Sequence, residues 1–467
     1  MRTTSKLFAL VLAALMLLST FAACAQGSGT TSSATPSGAS EGTPAGKAGE
    51  IYFLNFKPEI ASIYDEVAAA YKAETGVTVN VVTAASGTYE QTLRSEVAKS
   101  DAPTIFQING PVGYQSWADY CLDLKDTELY SHLSDKSLAV TSGDGVYGIP
   151  YVVEGYGIIY NNAIMEKYFA LPNKKVSISS AEEINNFDTL KAVVEDMTAN
   201  KDALGIGGVF ASTSLTTGED WRWQTHLANL PLYYEFKENT AYDNTVLAGL
   251  AANEVAFKYS DNFRNIFDLY LNNSITAKGL LGSKSVDDSM AEFALGKVAM
   301  VQNGNWAWGQ ISGVEGNTVK PEDIKFMPIY TGMPGEEKQG LCVGTENYFA
   351  INSQVSAEKQ QASIDFLNWL FTSETGKDFV VNKLGFIAPF DTFNENEKPA
   401  DPLAKEVLRW MEKDTTSVAW TFAAFPSQTF KDAFGAALLE YAQGSKSWDE
   451  VVGVFKDMWA SEKAKAQ

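Results

Sequence analysis

The side chains in this sequence best suited to chemistry are aromatic. In NGNWAWGQ, residues 303–310, Trp306 and Trp308 stand beside two glycines and two asparagines, directly after the apolar run KVAMV. A second concentration, WRWQTHLANLPLYYEF, begins at Trp221. Indole and phenol rings stack on the apolar C–H faces of pyranose rings, while carboxylates, amides and basic side chains hydrogen-bond the polar rims. Tryptophans mixed with Asn, Asp and Glu therefore suit a carbohydrate. If NWAW is extended, both indoles point to one side; if it opens a helix, they diverge by about 200° and only one faces a given cleft. The plainer alternative is that both are core. The Asn-Gly-Asn context favours a loop at a strand end, where open α/β sheets bind ligands.

Catalytic constellations are missing from the pattern. The two histidines, His132 and His226, lie in no metal-binding spacing and read as structural residues. GASEG at 38–42 matches G-x-S-x-G but has no strand before it, so the strained turn that exposes a nucleophile is not expected there. GIGG at 205–208 lacks a strand-turn-helix frame for a dinucleotide. The carboxylate pairs Glu219-Asp220 and Asp287-Asp288 could serve a glycosidase, yet a chain this acidic produces such pairs by chance. No enzyme activity, metal or cofactor is expected.

Composition bounds the partners. The chain has 467 residues, 45% of them hydrophobic, which is enough for two or three domains. A formal net charge of −21, with no long basic run, disfavours nucleic acid. At the N-terminus, Arg2 and Lys6 precede an apolar stretch and the small pair Ala22-Ala23 before Cys24, which reads as an export signal over 1–23 resembling a bacterial lipobox, with Cys24 lipidated. Residues 24–48, rich in Gly, Ser, Thr and Pro, cannot build a core and read as a tether. Whether Cys121 and Cys342 pair stays open.

The elements that position the aromatics begin at Ile51. IYFLNF reads as a buried strand; Ile60, Ile63, Val67, Ala70 and Tyr71 then share a helical face that Gly76 ends, and VTVNVV alternates as a second strand. A right-handed crossover makes those two strands parallel neighbours. Thr88 is a candidate cap for a helix over 89–100, followed by the strand TIFQI. In GDGVYGIPYVVEGYGIIYN, glycines inside a strand imply close backbone approach or a bend, as at a crossing between lobes. The middle third reads as mostly helical and polar. Ser356 and Ser373 are placed to cap two C-terminal helices.

These pieces resemble extracellular solute-binding protein family 1, the sugar-binding lipoproteins of ABC importers that include the maltose, raffinose and multiple-sugar binders. The resemblance rests on the lipobox and tether, TGVTVNV, YGIPYVVEGYGIIYN, FALGKVAMVQNGNWAW, and the run from EKQQASIDFLNWLFTSETGKDFV to LGFIAPF. It implies an α/β, two-lobed periplasmic-binding-protein-like fold with an inter-lobe ligand cleft and two or three hinge crossings. The lobes expected are 49–152 with 346–395, and 153–345 with 396–467. Carried over by position, Trp306 falls where the family stacks a sugar, and Trp308 is the neighbouring, more structural position. Glu154 and Glu219 accept sugar hydroxyls, Trp221 covers a ring from the second lobe, and Asn109 presents a polar side chain. Lys57, Glu59 and Tyr89 are weaker matches, and Trp420 or Phe422 offers a further platform. Plainer readings remain: Glu154 a solvated charge, Trp221 core, Asn109 a helix cap. The implied partners are a carbohydrate and an ABC permease, with membrane attachment through the N-terminal lipid, a monomeric state and a place on the extracellular face of the cell membrane. The alternatives are a non-sugar solute (a peptide, a polyamine, or an organic anion near Lys57, Arg222 or Arg264) and a secreted carbohydrate-active enzyme.

Overall fold

A computed structural model describes residues 50–465 except Ser86, Asp243, Glu346 and Glu395. The leader 1–23, Cys24, the tether and GASEG lie outside the described residues.

Strand β1 (Ile51–Asn55) leads through the helix Ala61–Thr75 to β2 (Val79–Thr83). Tyr64, Val67 and Tyr71 form the buried stripe of that helix, with Ile63 and Ala70 half-buried beside it. Gly76 ends it with φ 78°, a left-handed conformation that costs a glycine little. The two strands pair in parallel, Ile51 opposite Val79, as a right-handed crossover requires. Thr88 does not cap the next helix: its hydroxyl donates to the Ala85 carbonyl at 2.9 Å, and the helix runs only over Tyr89–Glu96.

The chain then lays down β3 (Ile105–Ile108), β4 (Val140–Ser142) and β5 (Gly145–Pro150), followed by β6 (Glu154–Asn161), β7 (Gly208–Phe210), β8 (Val298–Gly304), β9 (Ile324–Met327), β10 (Gln339–Gly344), β11 (Tyr348–Ile351) and β12 (Thr416–Ala419). They form two mixed sheets, ordered β2-β1-β3-β11-β5-β4 and β12-β10-β6-β8-β7, with β9 also against β6. Helices flank both, giving two α/β lobes. The backbone crosses between sheets after Pro150, returns after Gly344, and crosses again beyond Ile387, which bridges to Val153; Trp410 of the helix Pro402–Met411 then donates to the Phe326 carbonyl of the second sheet at 2.9 Å.

Close packing accounts for the glycines of β6. A Cβ on Gly155 would meet Val407 Cγ2 at 2.7 Å, and one on Gly157 the Met327 carbonyl oxygen at 2.5 Å. GIGG is structural too: Gly205 caps a helix in the left-handed region, and a Cβ on Gly208 would overlap the backbone of Ile275. Ser356 and Ser373 accept from the Lys359 and Gly376 amides, capping the helices Ala357–Thr372 and Glu374–Asp378. The middle third is less polar than its composition suggested, for residues 222–233 are all buried. Cys121 and Cys342 are buried free thiols.

Candidate functional site

Between the lobes lies a cleft of about 450 Å³, lined from the first lobe by the loop after β1, by Ala85, Gly87, Tyr89 and Glu90, and by Asn109, and from the second by residues of 218–226, 286–287, 306–310 and 428–431. Lobes touch beside it: a Cβ on Gly87 would stand 2.9 Å from the Gly218 carbonyl oxygen, and one on Gly110 3.6 Å from Ala423 Cβ.

The segment after β8 explains NGNWAW. Asn305 Oδ1 accepts from the Gly155 amide at 2.8 Å while its own amide donates to the Gly155 carbonyl at 3.0 Å, fastening the turn to β6. Gly304 leaves room for the Trp306 indole to fold back, since a Cβ there would overlap the ring. The helix Ala307–Ser312 opens immediately, so the indoles diverge. Trp306, half-buried, lines the cleft, whereas Trp308 packs against the side of the second lobe around Met290 and Phe293.

The facing wall comes from an irregular helix. Arg222–Leu227 is a π-helical turn, continued by the α-helix Ala228–Lys237 with Pro231 inside it. Pro231 has no N–H to donate and its ring crowds the Leu227 carbonyl; the wider turn takes up that mismatch. It brings Trp221, Gln224, Thr225 and His226 to the cleft. Trp221 and Trp306 stand 6.1 Å apart between ring centroids, and His226 touches both, at 5.2 and 5.4 Å. His226 also stacks on Tyr156 at 4.5 Å, and the Tyr156 hydroxyl donates to its carbonyl at 2.9 Å. Burial, with Lys431, Lys57 and Arg222 adding positive charge, pushes the imidazole pKa well below its usual value, so the ring is a neutral aromatic surface. His226 is therefore structural, as its sequence context implied, but it is also part of the wall.

Polar groups face this wall from the first lobe. Asn55 holds the loop after β1, donating to the Lys57 carbonyl at 2.7 Å and accepting from its amide at 3.1 Å. Gln107 fixes the same loop, accepting from the Phe56 amide at 2.6 Å. Lys57 Nζ lies 2.7 Å from Glu154 Oε1, 3.6 Å from Glu59 Oε1 and 5.6 Å from the Trp306 ring centroid. This buried ion pair joins the first lobe to the start of β6. Glu219 lines the cleft and accepts from the Val286 amide at 3.0 Å. Glu90, which sequence reasoning missed, lines it too; burial raises its pKa, against the Trp117 indole N–H that donates to it at 3.1 Å and the nearby positive charges of Lys431 and Arg94.

Of the residues singled out from sequence, the cleft brings together Trp306, Glu154, Trp221, Glu219, Asn109, Lys57, Glu59 and Tyr89. Tyr89 presents its ring alone, because its hydroxyl accepts from the Gln107 amide at 2.7 Å. Trp420 and Phe422 are corrections: both are buried behind His226, at 6.1 and 5.2 Å, as a second layer of the wall. Arg222 and Arg264 are not cleft groups either. Arg222 is fully buried, donating to Ser214, Ser289 and the Gln302 carbonyl, and Arg264 donates to Tyr441 at the surface. Besides His226 and Glu90, sequence reasoning missed Gln224, Lys431 and Asn347; the first was signalled only by its place in WRWQTH.

Two α/β lobes around a ligand-sized cleft define a two-lobed binding protein. The chain belongs to the bacterial extracellular solute-binding proteins, whose profile matches residues 66–406. Among solved structures it aligns with a chitin oligosaccharide binding protein (TM-score 0.69, 16% identity, 89% of this chain and 98% of that one). RafE in complex with raffinose aligns with TM-score 0.67 at 18% identity over 89% and 99% of the two chains. The GacH receptor of Streptomyces glaucescens, solved unliganded and with acarbose, aligns with TM-score 0.63 at 17% identity over 90% and 99%. At these identities the likeness is one of fold. No curated protein matches the sequence.

Proposed function

We propose that the cleft binds a carbohydrate, an oligosaccharide in preference to a single ring, for delivery to the transmembrane subunits of an ABC permease, without bond cleavage. One observation carries the reading: Trp306 and Trp221 present half-buried indoles 6.1 Å apart, opposite amides and carboxylates of the other lobe. That is an apolar wall with a polar rim, the pattern a pyranose needs. The structural relatives named for chitin oligosaccharide, raffinose and acarbose are consistent with it. An anionic solute fits less well, because Lys57 is engaged by Glu154 and Glu59, and the cleft holds five carboxylates to two lysines.

In this reading the exported chain is anchored through a lipid on Cys24 and reaches its permease on the tether 24–48, as a monomer. The first lobe comprises 49–152 and 346–395 and the second 153–345 and 396–467, a division supported by the sheet to which each strand belongs. Thermal melting against a glycan panel tests the function: an oligosaccharide raises the melting temperature of the wild type, and at the same concentration raises that of Trp306→Ala less. A panel that shifts neither, together with a shift by a polyamine or peptide, overturns it.

A further inference from the structure

Glu90 stands in the first turn of the helix Tyr89–Glu96 and lines the cleft from the first lobe. Its Oε2 accepts from the Trp117 indole N–H at 3.1 Å, a bond that fixes the carboxyl in place. Among the described residues Oε1 makes no hydrogen bond, and it is not one of the fully buried atoms left without a partner. One oxygen of this half-buried carboxyl is therefore held by the fold, and the other is open. Lys431, which reaches the cleft from the second lobe, lies close enough to act on the carboxyl through its charge. The charged end of Glu90 consequently faces the gap between the lobes.

The surroundings leave the anion short of donors. Around it stand Arg94 on its own helix, Lys431 on the helix Gln428–Ala442, and Lys57, Glu59 and Glu219 on other segments of the cleft, while the helix Gly110–Trp117 presents the neutral indole. Glu154 has Lys57 at 2.7 Å, whereas among the described residues no cation stands within ion-pair distance of Glu90. Burial outweighs the Trp117 bond and the charges of Lys431 and Arg94, and the Glu90 pKa is raised. A desolvated carboxylate with one oxygen unbonded gains from any further donor.

We propose that Glu90 is a ligand-contacting residue whose free Oε1 accepts a hydrogen bond from a hydroxyl of the saccharide held between the lobes. The contact ties capture to protonation. A hydroxyl donor stabilises the carboxylate, so the ligand lowers the raised pKa; affinity is greatest above the pKa of the free protein and falls as pH drops through it. The contact also sets a preference, because an uncharged hydroxyl fits and a carboxylate or phosphate at this point is repelled. The proposal rests on the carbohydrate reading and adds to it a residue and a dependence on acidity.

Calorimetric titration of the purified protein with triacetylchitotriose, maltotriose and raffinose, at about pH 5 and about pH 8, tests it. The wild type is expected to bind about tenfold or more weakly at the acid end, the worth of a hydrogen bond to a charged group. Glu90→Gln keeps the volume and an acceptor for the Trp117 indole but cannot ionise, so it should bind more weakly than wild type at the higher pH and vary with pH much less. A second measurement needs no variant: at the acid end, titrations in buffers of different ionisation enthalpy should show protons released on binding by the wild type. Equal pH profiles in the wild type and Glu90→Gln, affinity that rises as pH falls, or no proton release overturn the role of Glu90 and leave the carbohydrate reading intact. Failure of the wild type to bind any of the three at either pH removes both.

Discussion

Gly87→Ala isolates lobe closure from stability. Gly87 has φ 71°, and a Cβ there would stand 2.9 Å from the Gly218 carbonyl oxygen and 3.0 Å from its Cα, where ordinary contact begins at 3.4 Å. Two separable effects follow. The left-handed backbone costs an alanine about 1 kcal/mol whether the lobes meet or not. The clash exists only when they meet, and its relief needs an opening of about 0.5 Å at the seam. Overpacking of this size costs about 1–2 kcal/mol. A ligand held between lobes enters when they part and is retained when they close, so this cost falls on the bound state and raises Kd about 5- to 30-fold. Gly76→Ala is the control, with φ 78° and nothing within 4 Å of the added Cβ: it shares the backbone strain without the clash. Both variants should therefore lose similar melting temperature when unliganded, and only Gly87→Ala should bind more weakly in calorimetry. An unchanged Kd in Gly87→Ala, or an equal loss of affinity in Gly76→Ala, would show that contact at the Gly87–Gly218 seam does not govern ligand retention.

Three further outcomes are expected. Trp306→Ala should weaken oligosaccharide binding by ~10- to 100-fold, consistent with stacking worth about 1.5–3 kcal/mol in a desolvated site, while unliganded melting stays close to wild type. Lys57→Met leaves Glu154 buried without its cation and should cost about 2–4 kcal/mol in denaturant titration, whereas Lys57→Met combined with Glu154→Gln recovers much of it; strict additivity would show the pair is not coupled. Burial raises the Asp220 pKa from 3.8 to about 6, so the folded state favours the protonated acid; its contribution is fully present below about pH 4 and is lost as pH rises through 6. Asp220→Asn should consequently raise stability by about 1–3 kcal/mol at pH 8 and leave it unchanged near pH 4, and a gain that is the same at both pH values would exclude the titration as its cause.

Elements with a local cause could be read from the sequence. The β1–helix–β2 unit followed from an apolar stripe and a terminal Gly76; Ser356 and Ser373 capped the helices they precede; Pro150 and the glycines after it marked the passage between sheets. The pattern NWAW allows two geometries for Trp306 and Trp308, and the helix beginning at Ala307 selects the divergent one. What the sequence hid depends on contacts between distant segments. His226 joins the wall because a π-helical turn rotates 222–227 toward the cleft, a geometry that helical periodicity does not anticipate. Trp420 looked like a stacking platform, but its segment passes behind that wall and packs against Gly344. Asn347 had no signal of its own, since it reaches the cleft only because β11 pairs with β3, a strand 240 residues away. Thr88 failed as a cap because its hydroxyl found the Ala85 carbonyl first.

Sugar capture without cleavage is tested by titrating the purified protein with the best oligosaccharide while tryptophan fluorescence is followed, the sugar then being recovered by chromatography. A saturable change from the Trp221–Trp306 wall, one sugar bound per chain and the sugar recovered intact are expected. A cleaved sugar, or a saturable change of undiminished affinity in Trp306→Ala, would contradict sugar capture by this wall.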